Sequence, residues 1–324
     1  MTANLMLQAA PAPVLVGSKA ALVALNVALG IITLTFIFYL ARSLRARAST
    51  GDSVRPRGPI SVVSFIANFL DTLGIGSYAT TTAMVRQWKL IPDERIPGSL
   101  NVGYVLPTVL EAFVSTAIVP VDPKTLVLLI VASMLGAWLG AGVVASWPRR
   151  KIQIGMGLAL LATATLMVLS HPRVALLPPG GDALALTGPK LVLGFVGNFI
   201  LGAFMTLGIG LYAPCMVLIA LLGMNLKAAY PIMMGSCAFL MPIASIRFLK
   251  TSASYEPKAI LGMALAGIPA VALAFFVFNA LSIDMVKWLV VVVVVYTSVN
   301  MLRTARRERN LAAQATAAEA QPAL

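Results

Sequence analysis

Two acidic side chains stand inside long apolar stretches of this chain, each near residues that can donate hydrogen bonds. Asp71 directly precedes the octapeptide Thr-Leu-Gly-Ile-Gly-Ser-Tyr-Ala at 72–79, and Glu111 lies within the apolar segment 100–119. An acid inside an apolar, membrane-like segment is costly and is by default a functional candidate. Asp71 and Glu111 are therefore predicted proton-coupling residues. For Asp71 the alternatives are a structural salt bridge to Arg86 or Arg247, or a water-exposed position.

The octapeptide returns in the second half of the chain, at 206–213, with seven of its eight positions matched. In the same register, the segment Asp-Pro-Lys at 122–124 corresponds to Glu-Pro-Lys at 256–258. Upstream, Phe-Ile-Ala-Asn-Phe at 65–69 corresponds to Phe-Val-Gly-Asn-Phe at 195–199. The chain therefore reads as a duplicated unit, in which Met205 replaces Asp71 in the second copy.

The two glycines of each octapeptide predict a break in a helix, because glycine has a high entropic cost in a helix and tolerates positive φ. A broken helix exposes unpaired amides at the start of the following half-helix, and these amides, with the helix dipole, favour an anion. Close helix packing is the alternative explanation for such glycines. The candidate binding residues at the two breaks are Thr72, Gly74, Gly76, Ser77 and Tyr78 in the first copy, and Thr206, Gly208, Gly210 and Tyr212 in the second.

Further polar residues flank these breaks in the apolar segments. Asn68 and Asn198 stand at matched positions before the glycines, where each binds substrate, caps the broken helix or makes an interhelical hydrogen bond. Ser99, Asn101 and Ser236 fall near the start of the next helix of each copy. We expect all five to be substrate-binding candidates.

Composition places these motifs in a membrane. Of 324 residues, 59% are hydrophobic and only 11% are charged, with a mean hydropathy of +0.92; soluble domains carry roughly 25% charged residues. Alternation with a period of two is absent, so the sequence predicts an all-α integral membrane protein rather than a barrel. The predicted spans are 20–41, 59–85 and 190–222 (both broken), 100–119, 125–145, 152–170, 228–249, 259–281 and 284–302.

The net charge of +13 follows membrane topology and does not indicate nucleic-acid binding. Arginines cluster after the first and last spans and at 149–151, which is the pattern of cytoplasmic loops. If both broken segments return to the side they entered from, only six of the 24 lysines and arginines lie outside. A single crossing would place nine outside, so the charges favour the returning arrangement, as hairpins or as paired short spans.

This arrangement predicts two homologous repeats of inverted topology after an extra N-terminal span. Residues 1–57 would hold an anchor helix and a basic loop, 58–170 and 190–305 the two repeats, and 171–189 the loop between them. The N-terminus is expected outside, and 306–324 is expected to be a cytoplasmic tail whose last residues, 310–324, are disordered. Inverted repeats place a substrate at their interface, near mid-membrane.

Metal, cofactor and enzyme chemistry find no support in the sequence. Cys215 and Cys237 lie in apolar segments, and the single histidine, His171, lies in a loop. No nucleophile is paired with a base, so we expect no catalytic residue, no metal and no other cofactor. The expected partners are a small anionic substrate and the lipid bilayer, and the oligomeric state is left open.

The order of parts resembles the TauE/SafE family of sulfite and organosulfonate exporters over about residues 58–305. The resemblance is carried by the glycine break, the Pro-Gly-Ser start at 97–99, the small-residue segment 136–142 and the basic turn 148–151, followed by the second copy. Where the family has a Gly-Ile-Gly-Gly-Gly run, this chain has Ser77 and Tyr78 after Gly76. The family's conserved serine region would correspond to Ser99 and Ser236.

The resemblance implies a permease of the bacterial inner membrane for small sulfur-containing or carboxylate anions. The sequence thus predicts a secondary transporter of such anions that uses the proton gradient. An anion channel on the same scaffold is the alternative. Neither the anion nor the direction of transport follows from the residues.

Overall fold

The computed structural model describes residues 16–49, 56–92, 95–144, 149–169, 174, 181–205, 210–250, 255–280 and 283–319. Within these ranges the chain is helical, and no strand is formed apart from an isolated bridge between Ala183 and Met224. The helices are α1 Val16–Ser49, α2 Gly58–Thr72, α3 Ser77–Gln87, α4 Ile96–Gly103, α5 Val105–Ile118, α6 Pro123–Val144, α7 Arg149–Leu169, α8 Gly188–Met205, α9 Tyr212–Leu221, α10 Ala229–Lys250, α11 Pro257–Ala280 and α12 Ile283–Glu319.

Several of these helices are long and apolar enough to cross a membrane. Four described stretches meet this criterion, at 20–49, 188–205, 226–250 and 257–277. A fifth is formed if α4 and α5, which meet at an angle of 42°, are counted as one span. The protein is therefore an all-α membrane protein, as its composition predicts.

The nine predicted spans all fall on these helices, but the bend between α4 and α5 was not predicted. Its cause is Pro107, which has no amide hydrogen to donate to the carbonyl of Gly103, four residues earlier. The backbone hydrogen bonds resume on both sides, from Tyr104 N to Leu100 O (3.1 Å) and from Thr108 N to Tyr104 O (3.0 Å). The aromatic ring of Tyr104 is thereby held, fully buried, at the corner.

The prediction that residues 310–324 are disordered is wrong for most of that segment, because α12 continues to Glu319. The segment is rich in Ala, Gln and Glu, which are strong helix formers. It extends a helix that is already nucleated by the apolar residues before it, so propagation needs no new nucleus.

Two pairs of helix starts on the two sides of residue 180 share one interval. Helices α6 and α11 begin at Pro123 and Pro257, and α7 and α12 begin at Arg149 and Ile283. Both pairs are separated by the interval that also separates the two octapeptides, from Thr72 to Thr206. The most extensive helix contacts join α6 to α8 and α2 to α11. Helix α7 packs along α12, and α5 packs along α10.

The two ends of each broken segment lie close together in the structure. The side chain of Arg57, before α2, donates from Nη1 to Leu90 O, after α3, at 3.1 Å. The backbone amide of Asn225, after α9, donates to Ala183 O, before α8, at 2.8 Å. Helices α3 and α9 are each followed by a left-handed residue, Lys89 (φ 49°) and Gly223 (φ 83°), which reverses the chain there.

Helix α1 is tied to the same end as Arg57. The guanidinium of Arg47 lies 4.4 Å above the ring of Tyr255 and donates from Nε to its hydroxyl at 2.9 Å. Tyr255 is fully buried between α10 and α11, and Glu256 beside it forms an ion pair with Arg95 at 3.1 Å.

The contact between α6 and α8 depends on two glycines. A Cβ added to Gly136 would lie 1.8 Å from Phe199 O, and one added to Gly202 would lie 2.1 Å from Ser133 O. The obstructing atoms are backbone carbonyls, which cannot turn aside as a side chain can. Small residues at such crossings let membrane helices approach closely.

We therefore expect Gly136→Ala and Gly202→Ala each to destabilise the protein by about 1–3 kcal/mol, the usual range for overpacking. The measurement is the midpoint of thermal unfolding of the purified protein in detergent. Gly155→Ala in α7 is the matched control, because no atom lies within 4 Å of its added Cβ. Equal midpoints for all three variants would contradict the close crossing.

Candidate functional site

Helix α2 ends at the predicted glycine pair in a compact turn that satisfies its own backbone. Gly74 N donates to Asp71 O at 2.7 Å, and Ile75 N donates to Leu70 O at 3.0 Å. This pair of bonds is a Schellman motif, which requires positive φ at Gly74 (φ 99°). Gly76 also has positive φ (86°) and precedes α3. The predicted break of the first helix is therefore confirmed.

The second break lies mostly outside the described residues, which exclude Thr206 and Gly208. Helix α8 ends at Met205, and α9 begins at Tyr212 after the non-helical Gly210. Pro214 is the third residue of α9, where its missing amide hydrogen removes no intrahelical bond.

The Asp71 carboxyl caps the half-helix α3. Its Oδ1 accepts a hydrogen bond from Ser77 N at 2.7 Å, and the residue is 3% exposed. A negative charge at a helix N-terminus is stabilised by the amides and by the helix dipole. The first of the amides predicted to bind substrate is thus occupied by the protein's own carboxyl group.

Glu111 joins the two broken segments. Its Oε1 lies 2.7 Å from the hydroxyl of Thr72, the last residue of α2, and its Oε2 accepts a hydrogen bond of 2.7 Å from the hydroxyl of Tyr212, the first residue of α9. The Thr72 hydroxyl is also 3.0 Å from Asn68 O. Glu111 is fully buried, so its carboxyl is held between two parts of the chain that are far apart in sequence.

Three further tyrosines line the same region. Tyr230 donates from its hydroxyl to Leu73 O at 3.2 Å, and its oxygen is 3.4 Å from the place a Cβ on Gly74 would take. The hydroxyls of Tyr104 and Thr81 lie 2.7 Å apart. The hydroxyl of Tyr78 is buried, and no described residue forms a hydrogen bond with it.

The matched asparagines lie where α2 and α8 meet helices of the opposite half, but only Asn198 bonds across directly. Asn198 Nδ2 donates to Leu129 O at 2.6 Å and to Ser236 Oγ at 3.0 Å. Asn68 Nδ2 donates to Ser64 O at 2.8 Å and to Ser64 Oγ at 3.1 Å. The Ser64 hydroxyl in turn donates to Met263 O at 2.7 Å.

Asn198 therefore makes the interhelical hydrogen bond that was one interpretation of these positions, whereas the hydrogen bonds of Asn68 stay within α2. Within the described chain, the Oδ1 atoms of Asn68 and Asn198 are buried and have no donor. A binding role for these oxygens stays a prediction.

The remaining predicted residues lie in different places. Ser99 Oγ accepts from Glu256 N at 2.9 Å, at the start of α11. Asn101 donates to Pro97 O in its own helix at 3.0 Å, and its backbone carbonyl accepts from Ser245 Oγ at 2.9 Å. These contacts hold helix ends together, and neither residue joins the hydrogen-bonded group around Glu111.

Tyr104 and Tyr230 were not predicted from the sequence as site residues. Tyrosine hydroxyls within apolar segments were a usable signal, because a buried Tyr hydroxyl usually has a partner. Their shared location was not readable, since Tyr230 contacts a residue 157 positions away.

The two glycines at the first break give a graded test. Gly76→Ala meets open space, so only the positive φ opposes it, at about 1–2 kcal/mol. Gly74→Ala is also opposed by a positive φ and in addition meets Met216 Cε at 3.0 Å. We expect Gly76→Ala to lower the midpoint of thermal unfolding and Gly74→Ala to lower it further.

The control for this series is Gly30→Ala in α1, a helical glycine with nothing within 4 Å of an added Cβ. It should be neutral or slightly stabilising, because alanine favours a helix over glycine. A destabilisation of Gly30→Ala equal to that of Gly76→Ala would contradict the broken helix.

A comparison of the chain with protein-family models, with curated proteins and with solved structures finds no match. The resemblance to TauE/SafE exporters thus stays a prediction carried by the motifs of this chain. Function has to be inferred from the buried carboxyls and the two broken helices.

Proposed function

We propose that the protein is a secondary transporter of small anions, such as sulfite, organosulfonates or related sulfur-containing and carboxylate anions, driven by the proton gradient. The observation that carries the proposal is the position of Glu111, which contacts the end of α2 and the start of α9 at 2.7 Å each. A buried carboxyl between two interrupted helices is the arrangement in which a transporter links an ion to a substrate.

The proposal takes the two halves as homologous repeats of inverted topology. The common interval between the helix starts of the two halves supports the repeats. The meeting of Arg57 with Leu90, and of Ala183 with Asn225, supports segments that return to their own side. Because α4 and α5 run between these two meeting points, the first segment would enter from one side of the membrane and the second from the other.

Charge supports one orientation of this arrangement. Arg47, Arg57 and Arg95 all make contacts at the end where α10 passes into α11. Basic residues favour the cytoplasmic side, which would place the N-terminus outside. The resemblance to a bacterial family adds the inner membrane as the proposed location.

An anion is the proposed substrate because both half-helices present their N-termini to the same region. Helix dipoles and free amides stabilise negative charge without a basic residue. The N-terminus of α3 is capped by Asp71, whereas α9 follows Met205 and has no side-chain cap from its first flanking residue, Leu211. The start of α9 is therefore the position we assign to the substrate's negative group.

Proton coupling follows from the charges around such a site. Asp71 and Glu111 are both buried, and none of the buried residues that the structure describes is Lys, Arg or His. An anion placed beside two ionised carboxylates in a low dielectric would be strongly repelled. A proton that enters with the anion removes one of these charges, which supports the proposal of proton coupling.

The test is flux in proteoliposomes that contain the purified protein, with sulfite, thiosulfate, sulfoacetate and small carboxylates, with and without an imposed pH gradient. We expect saturable flux of at least one anion that the gradient accelerates. Flux that does not saturate and follows the electrical gradient alone would favour an anion channel instead.

The variants Gly76→Leu and Gly210→Leu should abolish this flux and still insert into the membrane. The first places a side chain at positive φ, and the second places one beside the start of α9. Gly30→Leu, whose added Cβ meets only open space, is the matched control and should keep its flux. Normal flux in both break variants would remove the broken helices from the mechanism.

A further inference from the structure

Glu111 is surrounded by hydroxyl groups rather than by charges. Its two carboxyl oxygens contact the hydroxyls of Thr72 and Tyr212, and its side chain is 0% exposed. The Thr72 hydroxyl has a second neighbour, Asn68 O, at 3.0 Å. These four residues form one line of hydrogen bonds from α9 through α5 into α2.

The helices around Glu111 carry titratable and charged groups, some of which face its carboxyl group. Helix α5 packs against α1, α4, α10 and α11, and Glu111 also contacts α2 and α9. The groups that face Glu111 are Asp71 on α2, Tyr212 on α9 and Cys237 on α10. The other groups on these helices are Lys19, Tyr39, Arg42, Arg45 and Arg47 on α1, Cys215 on α9, Tyr230, Arg247 and Lys250 on α10, and Lys258 on α11.

The arginines and lysines of α10 and α11 stand at the far end of these helices. Ser245, two positions before Arg247, donates to Asn101 O, and Asn101 precedes Glu111 by ten positions. At a helical rise of about 1.5 Å per residue, this separation is about 15 Å along the α4–α5 pair. Lys258 follows the Arg95–Glu256 ion pair at the same end.

Two carboxyls that face one another without a cation cannot both be ionised at low cost. Asp71 has the partner that an ionised carboxylate needs, because Ser77 N at the start of α3 can only donate. Glu111 has partners that suit a neutral acid, since the Thr72 oxygen can accept a proton and donate its own to Asn68 O.

From this geometry we propose that Glu111 carries the coupling proton and holds it in this conformation, whereas Asp71 is the ionised cap of α3. Tyr212 then donates to Glu111 Oε2, Glu111 donates from Oε1 to Thr72, and Thr72 donates to Asn68 O. Release of the proton to water leaves a negative charge on Glu111 and reverses its bond with Thr72, whose hydroxyl then donates to Oε1 and gives up its bond to Asn68 O. One proton therefore sets the hydrogen-bond partner of Thr72 at the end of α2.

This inference assigns the coupling step within the proposed function, on which it rests, but it can be tested without any substrate. The measurement is infrared difference spectroscopy of the purified protein in lipid at neutral pH, in the region of the C=O stretch of protonated carboxyl groups. We expect such a band, shifted on exchange into D₂O, in the wild type. It should be lost in Glu111→Gln and kept in Asp71→Asn.

The matched control is Glu256→Gln, which makes the same replacement of a carboxyl by an amide at the partly exposed ion pair with Arg95. This variant should leave the band in place. Tyr212→Phe removes the donor to Oε2 and should shift the band to higher frequency without abolishing it. Each variant is first checked for a monodisperse profile in detergent. If Glu111→Gln fails this check, the band is assigned to Glu111 from its shift in Tyr212→Phe.

A band that disappears in Asp71→Asn and persists in Glu111→Gln would overturn the assignment, and so would the absence of any such band in the wild type. If the band behaves as expected but the protein shows no anion flux, the proton is on Glu111 and the proposed transport function is rejected. The two proposals therefore fail separately.

Discussion

Lipid offers no hydrogen-bond partner, so a helix that is interrupted inside a membrane has to satisfy its own free backbone groups. At the first break this requirement is met by the turn at Gly74 and by the Asp71 carboxyl at the start of α3. The second solution places a carboxyl group in the buried interior. If that carboxyl is ionised, as we propose, the absence of a second charge at Glu111 and the proposed proton coupling both follow from it.

The interrupted helix could be predicted from the sequence, because glycine tolerates positive φ and the repeated motif marks Gly74 and Gly76 as the place of the break. The bend at Tyr104 was equally readable from Pro107, although it was not predicted. The grouping of Thr72, Glu111 and Tyr212 was not readable, since it depends on how helices far apart in sequence cross. The length of α12 was misjudged because polarity was given more weight than helix propensity.

The two halves follow one plan but differ where the site lies. Asp71 corresponds to Met205, and Glu111 corresponds to Ser245, which is bonded to the carbonyl of Asn101. The first half therefore supplies both carboxyls, and the second supplies the hydroxyl of Tyr212. If the halves are repeats, their shared scaffold holds one asymmetric centre, which suits the proposed transport of one proton per cycle better than two equivalent sites would.

The crossed packing of α2 on α11 and of α6 on α8 bears on how such a chain can arise and assemble. The glycines at 136 and 202 lie on the crossing of α6 and α8, so each half contributes one glycine to a surface that the other half covers. If the halves descend from a single unit, that unit buried this surface only by pairing with a second copy inserted upside down. The ancestor would then have been an antiparallel dimer, and the linker between the halves would have fixed a partnership that already existed.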